Sequence, residues 1–222
     1  VLTADYGRHA GLVRGVASSR MRGIMQPGNR VRVSWRARLS EQLGQMQIEL
    51  IQSVPALLLD SPLRLSGVAS MCALLDGALP EREAQPGLFE GSAALLDVIV
   101  LDDDNAGWVE GYVRWELGLL AAVGYRLDLA RCVASGQTSD LAFVSPKSGG
   151  AVACHQAGSF ASRMLALPMF LGGVSCGKHD WVVGLDLTGH FLSKRVFAAH
   201  NLDLPAQRKR LADMVDSRYN GK

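Results

Sequence analysis

Ten residues from Arg30 to Leu39 alternate without a break, with Val31, Val33, Trp35, Ala37 and Leu39 on one side and Arg30, Arg32, Ser34, Arg36 and Arg38 on the other. An extended strand rises about 3.3 Å per residue and turns successive side chains to opposite faces, so its guanidinium groups recur about every 6.6 Å along one face. Guanidinium forks bind phosphate oxygens two at a time, and this spacing follows successive phosphates of a nucleic-acid backbone. A merely solvated face normally mixes signs, because like charges within a Debye length of ~8 Å repel. The polar face of this strand holds no acid. Four further arginines precede it, Arg8, Arg14, Arg20 and Arg22, so residues 1–40 carry eight arginines against Asp5 alone, a local charge of +7 within a chain whose total is +2. The remaining residues sum to −5, an asymmetry that points to a polyanionic partner. Tyr6 and Trp35 are the only Phe, Tyr or Trp residues of the first fifty, and Trp35 lies on the apolar face. Base stacking therefore contributes little, and backbone electrostatics is expected to dominate.

Other constellations are weaker. Gly173-Val174-Ser175-Cys176-Gly177 fits the G-x-S-x-G pattern of serine hydrolases, but that motif needs a strand before it, and Pro168–Gly172 has no strand period. His179, His190 and His200 stand in helical or pre-helical sequence, so a hydrolase using Ser175 is a minor alternative. Asp102-Asp103-Asp104-Asn105 has Val113 where a calcium loop needs its closing glutamate, and reads instead as a helix-capping turn. Cys132 and Cys154 are placed like the two halves of a zinc ribbon, yet the positions three residues on are Ser135 and Ala157, and His155 is adjacent to Cys154. Two thiols fall short of a tetrahedral set, and no metal or cofactor is expected. Arg208-Lys209-Arg210 reads as a solvated helix face.

Around these residues the chain changes period once. The first fifty residues read as β: short strands over Leu2–Tyr6 and Ala10–Val16, a turn at Gln26-Pro27-Gly28-Asn29, then a hairpin of Arg30–Leu39 and Gln45–Ile51 joined through Ser40–Gly44. Several short strands predict a small barrel. After Pro55 the helical period takes over, from Ser61-Pro62 through Leu79, over Leu88–Leu101, and over Ala106–Val123, whose apolar positions nearly encircle the helix and whose stop is Gly124. Residues 132–158, rich in Gly and Pro, read as an irregular insert, and helices resume over Ser159–Leu167, Trp181–Ala199 and Leu204–Val215. An apolar content of 48% with 20% charged residues suits a globular core. No run approaches the roughly 18 apolar residues that cross a bilayer, and four irregularly spaced cysteines suit a reducing compartment, so a cytoplasmic protein is expected.

Three stretches resemble the RecO family of bacterial DNA-repair proteins, the recombination mediators: Tyr6-Gly7-Arg8 through Val13-Arg14-Gly15 with Met25-Gln26-Pro27-Gly28; Arg114-Trp115-Glu116-Leu117-Gly118-Leu119-Leu120 through Gly124-Tyr125-Arg126-Leu127-Asp128-Leu129 to Cys132; and Thr188-Gly189-His190-Phe191-Leu192 with the last basic helix. The resemblance implies an α+β chain: an N-terminal OB-fold barrel over residues 1–54, lacking its first strand because family members begin about one strand earlier, and an all-helical domain over 55–222 with an inserted degenerate zinc knuckle near 132–158. Many members carry four knuckle cysteines, of which only Cys132 and Cys154 are matched here. The resemblance also implies a non-enzymatic, nucleoid-associated function: binding single- and double-stranded DNA, annealing complementary strands, contacting the acidic C-terminal tail of single-stranded DNA-binding protein (SSB), and with RecR helping to load RecA onto SSB-coated DNA. With the basic patch read above, the DNA face is expected at Arg8, Arg14, Arg20, Arg22, Arg30, Arg32, Arg36 and Arg38, and Arg114 on the central helix is the candidate cation for the SSB tail. A general single-strand or RNA-binding OB-fold protein is the alternative reading.

Overall fold

A computed structural model describes residues 1–39, 41–102, 106–174 and 179–220. It divides into two compact units, Val1–Asp104 and Asn105–Lys222. The period changes near residue 55, as the sequence predicts, but the first unit also takes in the two helices that follow. No helix among the described residues is long and apolar enough to cross a membrane.

The first unit runs β1 (Leu2–Thr3), β2 (Gly7–Arg8), α1 (Ser19–Ile24), β3 (Arg30–Arg36), β4 (Gln45–Gln52), α2 (Pro62–Ala78) and α3 (Pro86–Leu101). β3 and β4 form the antiparallel hairpin that alternation predicts, with Arg32 opposite Glu49, Ser34 opposite Gln47 and Arg36 opposite Gln45, but β3 stops at Arg36 and Ala37–Leu39, expected to continue it, lie in the bend beyond the strand. Gly44 closes it at φ +63°, where a Cβ would stand 2.6 Å from Trp35 Nε1, so only glycine fits. Among the described residues the strands make two separate two-stranded sheets and no closed barrel. The expected strand over Ala10–Val16 reduces to a single bridge, Leu12 to Gln45. In its wake comes α1, a helix that alternation did not predict, capped by Ser18 Oγ accepting from the Met21 N–H. α2 and α3 supply a core of Val68, Met71, Leu74, Leu95 and Ile99, each nearly or wholly out of solvent.

The second unit corrects the all-helical expectation. It contains α4 (Trp108–Ala122), β5 (Asp128–Cys132), β6 (Leu141–Val144), β7 (Gly150–Ala153), the single turn α5 (Cys154–Ala157), β8 (Leu165–Ala166), α6 (Asp180–Phe191) and α7 (Ala206–Tyr219). The supposedly irregular insert is a four-stranded sheet in the order β5-β7-β6-β8, and most of Ser159–Leu167 is a 3₁₀ turn and β8 rather than a helix. Short four-residue strands such as Gly150–Ala153 are buried throughout, and a strand buried on both faces loses the alternation that would announce it. α4 packs against α6 and buries Trp108, Val109, Tyr112, Val113, Leu119 and Leu120, as its nearly encircling apolar positions predict. Gly124, at φ +90°, ends it with Tyr125 N–H donating to the Leu120 carbonyl.

Candidate nucleic-acid interface

The eight N-terminal arginines separate into two groups. Arg8 donates through Nε to the Leu79 carbonyl at 2.9 Å and pairs with Asp76 at 3.1 Å and Glu81 at 3.6 Å. Arg30 donates to Asp97 Oδ1 at 2.7 Å and to the Ala93 carbonyl at 2.8 Å. Between Arg30 and Val31 the hairpin register slips, so that Arg30 pairs with Gln52 and Val31 with Leu50, and a bulge of this kind re-aims a side chain. Both arginines tie the β elements to α2 and α3. Arg14, Arg20, Arg22, Arg32, Arg36 and Arg38 are exposed. Of these only Arg32 has an acid partner among the described residues, Glu49 across the hairpin at 3.5 Å, with both side chains nearly three-quarters exposed. The single-sign face read from β3 alone is thus interrupted by one carboxylate of β4.

Arg36, Ala37 and Arg38 line a shallow depression with Gln42, Gly44 and Gln45. Leu12 lies along the far edge of β4, its N–H donating to the Gly44 carbonyl and its carbonyl accepting from Met46, so the chain leading to Arg14 departs from the same end of the hairpin. Arg20 and Arg22 sit on α1, which packs on β4. On the opposite face Trp35 donates to the Leu43 carbonyl at 2.9 Å, meets the His9 ring edge-on at 4.8 Å and carries the Arg82 guanidinium 5.8 Å from its centre. Trp35 is committed to packing, as its place on the apolar face predicts.

In the second unit Arg114 is exposed on α4, donates to the Phe170 carbonyl and lies 5.6 Å from the centre of the Phe170 ring. Cys132 is buried and its Sγ accepts the Ala153 N–H at 3.3 Å, while Cys154 is exposed. Burial pushes the Cys132 thiol up, but hydrogen bonds from the Ser135 hydroxyl and from the Ala153, Ser135 and Ala134 N–H groups outweigh it and bring it down to about 7. Backbone donors thus converge on the sulfur, and no group of three metal-ligating side chains exists among the described residues. The residues present do not fit a zinc ion. Ser175 lies outside the described residues, as do Asp103, Asp104 and Asn105.

Residues 1–54 match the family model for the recombination protein O N terminal, and residues 59–202 match the one for the recombination protein O C terminal. The chain belongs to the recombination protein O family. It is 49% identical over 216 residues to the DNA repair protein RecO of Rhodospirillum centenum, covering 96% of this chain and 85% of that protein. Its counterpart from Gluconacetobacter diazotrophicus is 43% identical over 225 residues, covering 100% and 89%. The one from Jannaschia is 42% identical over 217 residues, covering 97% and 87%. Membership in the RecO family places the chain among DNA-repair and recombination proteins.

One charged cluster of this RecO-family chain escaped the sequence reading. Arg208, assigned to a solvated face, is 1% exposed. It pairs through Nε and Nη2 with both oxygens of the fully buried Glu116 and donates to the Leu185 carbonyl at 2.8 Å, while Thr188 Oγ1 donates to Glu116 Oε2. Burial opposes the guanidinium charge, but the Glu116 carboxylate overrides it and the pKa is raised. Both carboxylate oxygens of Glu116 and the Nε and Nη2 of Arg208 are hydrogen-bonded, and charges tolerate burial when they are paired in this way. The sequence signal was Glu116 on an otherwise apolar stretch of α4, a charge that burial obliges to find a cation.

Proposed function

We propose that this chain binds DNA through phosphate contacts on the exposed face of the β3–β4 hairpin, and acts by holding strands rather than by catalysing a reaction. The observation that carries the reading is the exposed pair Arg36 and Arg38, neither of which has an acid partner among the described residues, at the hairpin end from which Arg14 also departs. Cations grouped at the hairpin end neutralise neighbouring phosphates, and neutralising two strands lowers the repulsion that opposes their pairing. The β elements of residues 1–54 are read as the OB-fold implied by the resemblance. The biological role is that of a recombination mediator in DNA repair, which anneals complementary strands and, with RecR, helps load RecA onto SSB-coated DNA. Arg114 beside the Phe170 ring offers a cation next to an apolar surface, which suits the acidic SSB tail.

A salt titration of labelled single-stranded DNA tests the first step. Log affinity should fall by about 0.7 per log unit of salt for each phosphate neutralised, and R36E/R38E should weaken binding by roughly a hundredfold while lowering that slope. Binding indifferent to salt, or unchanged in R36E/R38E, would sink the reading. A competition with RNA of the same sequence separates it from a general RNA binder, since the 2′-hydroxyl is what discriminates the two.

A further inference from the structure

A second set of cations lies in the second unit. β6 and β7 are joined by a tight turn, Ser145 N–H donating to the Gly150 carbonyl, Gly149 N–H to the Ser145 carbonyl, and Ser148 N–H to Ser145 Oγ. Gly149 makes the turn at φ +75°, where a Cβ would stand 2.7 Å from Leu127. Lys147 is at the tip and exposed. The turn is clamped to the segment that follows α6, where Arg195 donates through Nη2 to the Lys147 carbonyl. Arg195 lies in a turn of π-helix, Leu192–Phe197, that buries Leu192, Val196 and Phe197 and leaves Lys194 exposed. π-turns are rare and are frequently found at functional sites.

We propose that Lys147, Lys194 and Arg195 form a second phosphate-binding surface, which holds a second DNA strand while the hairpin holds the first. The inference rests on the reading that the hairpin binds DNA. Neither lysine ammonium has a partner among the described residues, and Arg195, with one donor on a carbonyl, keeps four N–H donors for an anion. The cationic character is felt locally: the charges acting on His190 are those of Lys194 and Arg195, which add to burial in lowering its pKa. The acid of the adjoining strand, Asp128, turns Oδ1 to the Ala130 N–H. An acidic peptide is the poorer occupant, because peptide recognition uses apolar pockets for alternate side chains, and neither 141–150 nor 189–200 exposes a large apolar side chain.

The test uses the full chain saturated with an unlabelled oligonucleotide and titrated with a second, labelled, non-complementary one. K147E/K194E should lower second-strand affinity about tenfold and its salt exponent by about 1.4, the change for two single-strand phosphates, with first-strand binding within about twofold of the parent. K147R/K194R should retain second-strand binding, and an unchanged melting temperature shows that both variants fold. Second-strand binding by K147E/K194E equal to the parent's overturns the proposal. So does loss of binding to a polyglutamate peptide with DNA binding intact, which would make the surface a peptide site. R36E/R38E separates the two readings: if it leaves first-strand binding intact the hairpin reading fails, while the effect of K147E/K194E on DNA binding still decides this surface.

Discussion

The hairpin of the first unit and the Glu116–Arg208 pair of the second use the same side chain in opposite ways. On β3 and beyond it, Arg36 and Arg38 are exposed and have no acid partner among the described residues, a placement that adds little to stability and leaves the charge available to a ligand. Inside the second unit, Arg208 gives its Nε and Nη2 to Glu116, Thr188 and Leu185, so its charge is spoken for. What separates the groups is the unmet demand for an anion rather than the number of cations. By that criterion Arg8 and Arg30, although part of the basic N-terminal run, belong with Arg208.

The largest expected effect breaks the buried side of the comparison. Arg208→Met leaves Glu116 charged in an apolar site and should destabilise the second unit by about 3–5 kcal/mol, while Glu116→Leu combined with Arg208→Met should recover most of the loss, because a buried pair replaced as a whole by apolar groups is close to neutral. Chemical denaturation of the parent, single and double variants measures this; equal losses in single and double variants would mean that the pair is net stabilising in itself. DNA affinity at the hairpin should not change while the protein is folded.

Next in size is Cys132. A folded-state pKa lowered from 9.0 to about 7 means that the folded protein favours the thiolate, a contribution fully present above pH 9 and lost as pH falls through 7. Stability of the parent relative to Cys132→Ala should therefore grow between pH 7 and pH 9 by up to about 3 kcal/mol, since each pH unit between the folded and unfolded pKa contributes about 1.36 kcal/mol. A metal chelator should change the melting temperature of neither protein. Identical pH profiles for parent and variant would show that the converging N–H groups do not stabilise charge on the sulfur.

A smaller effect tests the assignment of Arg30. Its guanidinium bridges Asp97 and the Ala93 carbonyl and is itself about one-third exposed, so Arg30→Ala should cost about 1 kcal/mol of stability and lower DNA affinity by less than twofold. A large loss of DNA binding with unchanged stability would move Arg30 to the ligand face.

How much of this was legible in sequence follows from distance along the chain. The hairpin was readable because its alternation and its turn residues are local. The α2, α3 and α4 helices were readable because long amphipathic or encircling patterns persist over several turns. Arg30 finds Asp97 67 residues away, Arg8 finds Asp76 68 residues away, and Arg208 finds Glu116 92 residues away, and no periodicity reports such pairings. β6 and β7 are four residues each and largely buried, too short to show a period. α1 was missed for the same reason, being a six-residue helix with no buried residue. Family resemblance supplied the functional class, whereas the sorting of arginines into structural and available ones needed the partners in place.

The smallest effect probes the acid that faces Arg32 across the hairpin. Glu49 stands 3.5 Å from Arg32, with both side chains nearly three-quarters exposed, a pair of the kind that contributes little to stability. A phosphate approaching Arg32 must displace this carboxylate or sit beside it, and both cost affinity. Glu49→Gln keeps the shape and removes the charge, so stability should stay within about 0.5 kcal/mol and single-stranded DNA should bind about two- to threefold more tightly at low salt. The gain should fade toward 1 M salt, where the Debye length is ~3 Å and the carboxylate is already screened. Weaker binding by Glu49→Gln would mean that Glu49 holds Arg32 in the geometry that DNA needs, which would move Arg32 from the available arginines to the positioned ones.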